Sequence, residues 1–172
     1  MDKYFYHLDL PPLPNFFINE GITGDYAVTL RPNLYWCKSS FFTSDFFKLL
    51  QKEFGEENCS VKYYVNPPNS YYDWHKDLKR GFGINWVVKT NPHALTLYRE
   101  PMPLGDEKFM YNITEIDYRG FAPTIINGKV EHCVINNFND TRYIMSLSVV
   151  GTPYEDALPF FKNLKIDKYF NQ

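Results

Sequence analysis

The sequence predicts a mainly β protein, an antiparallel sandwich or barrel with a supporting helix, and three observations point there. From residue 61 onward, eight short runs rich in β-branched and aromatic residues recur at the spacing of antiparallel β architectures. Proline, glycine and asparagine clusters stand between the runs, supplying the turns that such a chain needs. Ahead of them lies one stretch with clear helical periodicity.

Taken in order, the first forty residues carry Pro11-Pro12-Leu13-Pro14 and Arg31-Pro32-Asn33. Proline fixes φ and removes a backbone donor, so residues 1–42 are expected to form an irregular arm with short strands. Over 43–55, apolar residues at 46, 47, 50 and 54 follow a polar N-cap candidate and precede Gly55, which reads as a helix whose Phe/Leu face packs on a sheet. The expected strands are 61–65, 71–77, 83–88, 94–99, 109–113, 123–126, 130–135 and 142–150. Turn signals separate them at Asn66-Pro67-Pro68-Asn69, Thr90-Asn91-Pro92, Gly105-Asp106, Asn127-Gly128 and Asn137-Phe138-Asn139-Asp140, of which Asn127-Gly128 is the strongest hairpin signal. After Pro153, apolar residues at 158, 160, 161, 164 and 166 suggest a short helix interrupted by Pro159.

Length and composition bound the function. At 172 residues the chain suits one domain with a real core. A formal net charge of -2, with 18 basic and 20 acidic residues spread along the chain, gives nucleic acid no compositional support as a partner. Aromatic residues make up 19% of the chain, so the interior relies on Phe and Tyr. Cys37, Cys59 and Cys133 are odd in number and lack CxxC spacing, which argues against a disulfide framework and for a reducing compartment. Neither an N-terminal leader nor a run of about 18 apolar residues is seen, so the expectation is a soluble, cytoplasmic protein away from the membrane.

The chemistry concentrates in His75-Lys76-Asp77, His132 and Arg142. On an extended segment, residues two apart face the same side, so His75 and Asp77 can reach one metal ion. With His132 they make a 2-His-1-carboxylate triad, which leaves coordination positions open on Fe(II). The ordinary reading of each alone is a hydrogen-bonded pair and a satisfied core histidine. Arg142 opens an apolar strand with Ile144, Ser146 and Ser148 on its face, and a cation there calls for an anion. Tyr63, Tyr64, Asn85 and Tyr98 lie on neighbouring expected strands and are candidates to line a cavity.

Together, the His75-x-Asp77 pair, the distal His132 and the basic Arg142 resemble the iron(II)/2-oxoglutarate-dependent dioxygenase superfamily. The stretch from His132-Cys133-Val134-Ile135-Asn136 to Arg142 resembles its prolyl-hydroxylase-like and aspartyl/asparaginyl β-hydroxylase-like branches. The resemblance covers roughly residues 60–150. It implies a double-stranded β-helix (jelly-roll, cupin-like) with one or two supporting helices. It also implies Fe(II) on His75, Asp77 and His132, and 2-oxoglutarate as co-substrate held by Arg142 with Ser146, Tyr64 and Asn85 nearby. The activity implied is a hydroxylase consuming 2-oxoglutarate and O2 and releasing succinate and CO2. The prime substrate, a small molecule or a peptide side chain, is not implied. Within a single domain, 60–150 would be the catalytic core and 151–172 a C-terminal extension. The arm would either cover one end of the barrel and select substrate, or add edge strands. Two rival readings stand beside this one: a cupin-like metal or ligand binding module without redox chemistry, and a structural protein in which the three residues are ordinary polar groups.

Overall fold

The computed structural model describes residues 3–10, 29–31, 34–36, 44–89, 94–103, 109–118 and 122–164. Among these residues eleven strands run in chain order: β1 Phe5–His7, β2 Thr29–Arg31, β3 Leu34–Trp36, β4 Cys59–Asn66, β5 Ser70–His75, β6 Arg80–Lys89, β7 Ala94–Pro103, β8 Phe109–Glu115, β9 Thr124–Asn127, β10 His132–Asn136 and β11 Arg142–Val150. Helix α1 spans Asp45–Phe54 and helix α2 Tyr154–Asn163, with a 3-10 turn at Glu56–Asn58. A seven-stranded sheet has the order β1-β9-β6-β11-β4-β3-β2, and a four-stranded sheet the order β5-β10-β7-β8. Every pairing is antiparallel. From β4 onward the chain deals its strands alternately to the two sheets, apart from the β7–β8 hairpin. The fold is therefore a double-stranded β-helix of the jelly-roll type, with two supporting helices among the described residues.

The apolar core lies outside the barrel, between the larger sheet and the helices. Ile84, Trp86 and Val88 of β6 and Met145, Leu147 and Val149 of β11 pack there against Phe46, Phe47 and Leu50 of α1 and Tyr154, Ala157, Leu158 and Phe161 of α2. On the opposite faces of the same strands stand Asn85, Arg142, Ser146 and Ser148, equally buried but polar. The two central strands thus present an apolar face to the helices and a polar face to the smaller sheet, as the period-two alternation of side chains requires. Tyr63, a candidate cavity residue, falls on the helix-packed face and is buried in the outer core. Its neighbour Tyr64 faces the other way.

Local signals place the elements well. Ser44 caps α1, its hydroxyl accepting from Phe47 N at 3.2 Å, and Gly55 ends it at φ 93° with its N–H on Gln51 O. Three expectations need correcting. The Asn127-Gly128 turn forms, but it joins β9 to β10 in different sheets, so it makes no hairpin. β9 instead pairs with β1 and β6. Asp77 lies just beyond β5, which ends at His75. Helix α2 runs through Pro159 without interruption, the lost backbone bond being offset by burial of Tyr154, Ala157, Leu158 and Phe161. The turns at 90–92 and 105–106 lie outside the described residues. So does most of the arm, whose described parts β1, β2 and β3 extend the larger sheet at both edges. No helix among the described residues is long and apolar enough to cross a membrane.

Candidate metal centre

Pairing between β5 and β10 sets His132 opposite His75, and the two rings lie 4.3 Å apart by centroid. Each ring is oriented in the same way. His132 Nδ1 lies 2.9 Å from Val130 O, and His75 Nδ1 lies 2.6 Å from Asp73 O. A carbonyl only accepts, so each Nδ1 carries a proton, and in the neutral ring the Nε2 lone pair is the one left for a metal. Burial pushes the His132 pKa down to about 4, which keeps that lone pair available at neutral pH. Tyr72 packs edge-on against His75, and Tyr98 lies under His132 with its hydroxyl donating to Asn127 O.

Asp77 reaches the same place from the loop after β5. Its backbone N–H donates to Gly128 O at 2.8 Å, and Lys129 Nζ donates to its carbonyl. Asp77 Oδ2 lies 3.9 Å from His132 Nε2, and one ligand atom from each of His75, Asp77 and His132 falls within 4.8 Å of the others. Burial works to raise the Asp77 carboxyl pKa, but the adjacent Arg80 guanidinium and the two histidines together hold the group below the usual carboxylate value. Two neutral imidazole nitrogens and one carboxylate suit a divalent transition metal such as Fe(II), with half an octahedral sphere left open.

Arg142 is brought between the sheets but not to the triad. It is 2% exposed, its Nη2 donates to Thr96 Oγ1 at 3.0 Å and its Nη1 to Leu95 O at 3.4 Å, and its guanidinium lies 5.2 Å over the Tyr118 ring. Among the described residues it pairs with no carboxylate. Asn85 Nδ2 donates to the Tyr118 hydroxyl, and its buried Oδ1 has no hydrogen-bond partner among the described residues. Among the described residues the barrel interior thus holds a cation without a carboxylate partner and an unused amide atom, which is the polarity an anionic ligand requires. Ser146 is engaged elsewhere, accepting from Arg80 Nη1, and Tyr64 lies beneath the same guanidinium at 6.0 Å. Arg80 and Tyr118 were not singled out from sequence. The signal for Arg80 was the pair of inward serines on 142–150, which face a polar partner. An open groove of about 340 Å³ between Lys76, Arg99 and Glu131 flanks the centre and includes none of the triad.

No family model matches the chain, and no curated protein matches it. Solved structures share its fold. A Pseudomonas putida prolyl-4-hydroxylase superposes over 86% of this chain and 92% of its own, with 12% identity and a TM-score of 0.56. HygX from Streptomyces hygroscopicus with iron bound superposes over 87% of this chain and 83% of its own, with 9% identity and a TM-score of 0.56. At these identities the likeness is one of fold.

Proposed function

We propose that this chain is an Fe(II)- and 2-oxoglutarate-dependent oxygenase, most simply a hydroxylase, with residues 60–150 as its catalytic core. The observation that carries this reading is the convergence of one ligand atom each from His75, His132 and the Asp77 carboxylate, with the Nδ1 of each imidazole turned to a backbone carbonyl. That two proteins of the same fold are a prolyl-4-hydroxylase and an iron-bound protein supports it. When bound, Fe(II) with 2-oxoglutarate and O2 supplies C–H hydroxylation, the co-substrate leaving as succinate and CO2.

The chain's own residues then have defined work. His75 and His132 offer neutral nitrogen donors, and Asp77 offsets part of the metal's charge. Arg142, buried among hydroxyls, a carbonyl and the Tyr118 ring, offers a planar fork to the distal carboxylate of 2-oxoglutarate. Asn85 and Tyr118 extend that polar wall. Exclusion of water follows from the burial of this lining, since Asn85, Thr96, Thr124, Arg142 and Ser146 are all 7% exposed or less.

Anaerobic titration of the chelator-treated protein with Fe(II), with and without 2-oxoglutarate, tests the reading. A visible metal-to-ligand charge-transfer band that needs both components is expected, together with succinate release on admitting O2. Fe(II) uptake with no such band would leave a cupin-like metal-binding module. No Fe(II) uptake would remove the enzyme assignment.

A further inference from the structure

A second guanidinium enters the barrel beside the metal triad. Arg80 opens β6, and its side chain is 10% exposed. Its Nε and Nη2 both donate to Asp77 Oδ2, at 2.7 and 2.6 Å. Its Nη1 donates to Ser146 Oγ at 3.1 Å and reaches Ser148 Oγ at 3.5 Å.

The space for this group is cut into the sheet. Ser148 pairs with Gly83, and Ser146 with Asn85, so small residues face the guanidinium from adjoining strands. A Cβ placed on Gly83 would come within 2.9 Å of Arg80 Nη1. A solvated ion pair needs no such niche and contributes little. This one is largely withdrawn from solvent, its side chains 10% and 19% exposed, and loss of the guanidinium would leave the carboxylate there without its ion-pair partner.

Resting on the metal reading above, we propose that Arg80 is the positioning residue of the metal centre: it holds the Asp77 carboxylate in place beside His132 Nε2 so that the ion meets a preset ligand. Without the fork, Asp77 stands on a loop that Gly128 and Lys129 hold by its backbone. The carboxylate is then free to change rotamer, and each binding event must reorder it. Outer-shell partners of this kind typically contribute about 10- to 100-fold in metal affinity.

The test is Mn(II) binding to the full-length, chelator-treated protein, read by electron paramagnetic resonance of the free ion, with thermal unfolding as a check on folding. Arg80→Met is expected to weaken Mn(II) binding at least about tenfold, and Arg80→Lys, which keeps charge but loses the fork, to recover part of that loss. Gly83→Ala displaces the guanidinium without altering charge and should weaken binding in the same direction. Wild-type or tighter Mn(II) affinity in folded Arg80→Met overturns the proposal, and tighter binding would make Arg80 a competitor of the metal. Should Arg80→Met fail to fold, unchanged affinity in folded Gly83→Ala overturns it instead. If the wild-type protein binds Mn(II) no better than His132→Ala does, it is the metal reading that falls.

Discussion

At the residue scale, the arrangement around His75 and His132 shows how a strand makes a ligand. Each imidazole turns back to the carbonyl two residues earlier, which fixes both its orientation and its tautomer without a dedicated carboxylate. Arg142 makes the complementary case: a cation held 2% exposed with no carboxylate partner among the described residues is stable only while its N–H groups find oxygen. Replacing Arg142 with Met should therefore raise the dissociation constant for 2-oxoglutarate by about tenfold or more, a charge-assisted contact contributing on the order of 1.5–3 kcal/mol. Fe(II) or Mn(II) affinity should be nearly unchanged, because Arg142 touches none of the triad. Calorimetric titration of the Mn(II)-loaded variant checks this, and wild-type affinity for 2-oxoglutarate would remove the assignment of Arg142.

At the element scale, stability and site come from opposite faces of the same strands. The apolar faces of β6 and β11 bind the helices, and their polar faces form the barrel interior. Changes on the helix side should thus move stability ahead of metal affinity. Ser44→Ala removes the cap on α1 and should cost about 1 kcal/mol, a fall of roughly 2–4 °C in Tm. Gly81→Ala should be worse. A Cβ there would lie 1.8 Å from Thr152 O, where the start of β6 crosses the chain leaving β11, and backbone on both sides must move. Thermal unfolding of the two variants orders them, and a Gly81→Ala protein as stable as Ser44→Ala would show that this crossing is loose.

At the scale of the whole molecule, the triad joins the end of β5, the loop that follows it and the start of β10, segments far apart in the chain that meet only when the smaller sheet is assembled, so metal and fold should be linked. Mn(II) at about 100 times its dissociation constant should add roughly 2.7 kcal/mol to stability, or about 5–10 °C in Tm. Asp77→Ala should lose that increment, and an equal Mn(II)-dependent rise in Asp77→Ala would place the ion elsewhere. Much of the architecture was legible in the chain itself, because strand alternation, the cap and stop of α1 and the turn residues are local effects that act within a few residues. Candidate ligands were legible too, as residue types at a suggestive spacing. What the sequence could not express was which strands become neighbours. Asn127-Gly128 reads as a hairpin by its turn chemistry, yet sheet assignment separates its strands. Nothing local to Arg80 marks it as a site residue, and only the packing of β6 against β11 makes it an interior cation facing two serines. Local periodicity determined the elements and their faces by themselves; long-range pairing decided which polar faces were turned inward together, since that depends on contacts between residues far apart in the chain.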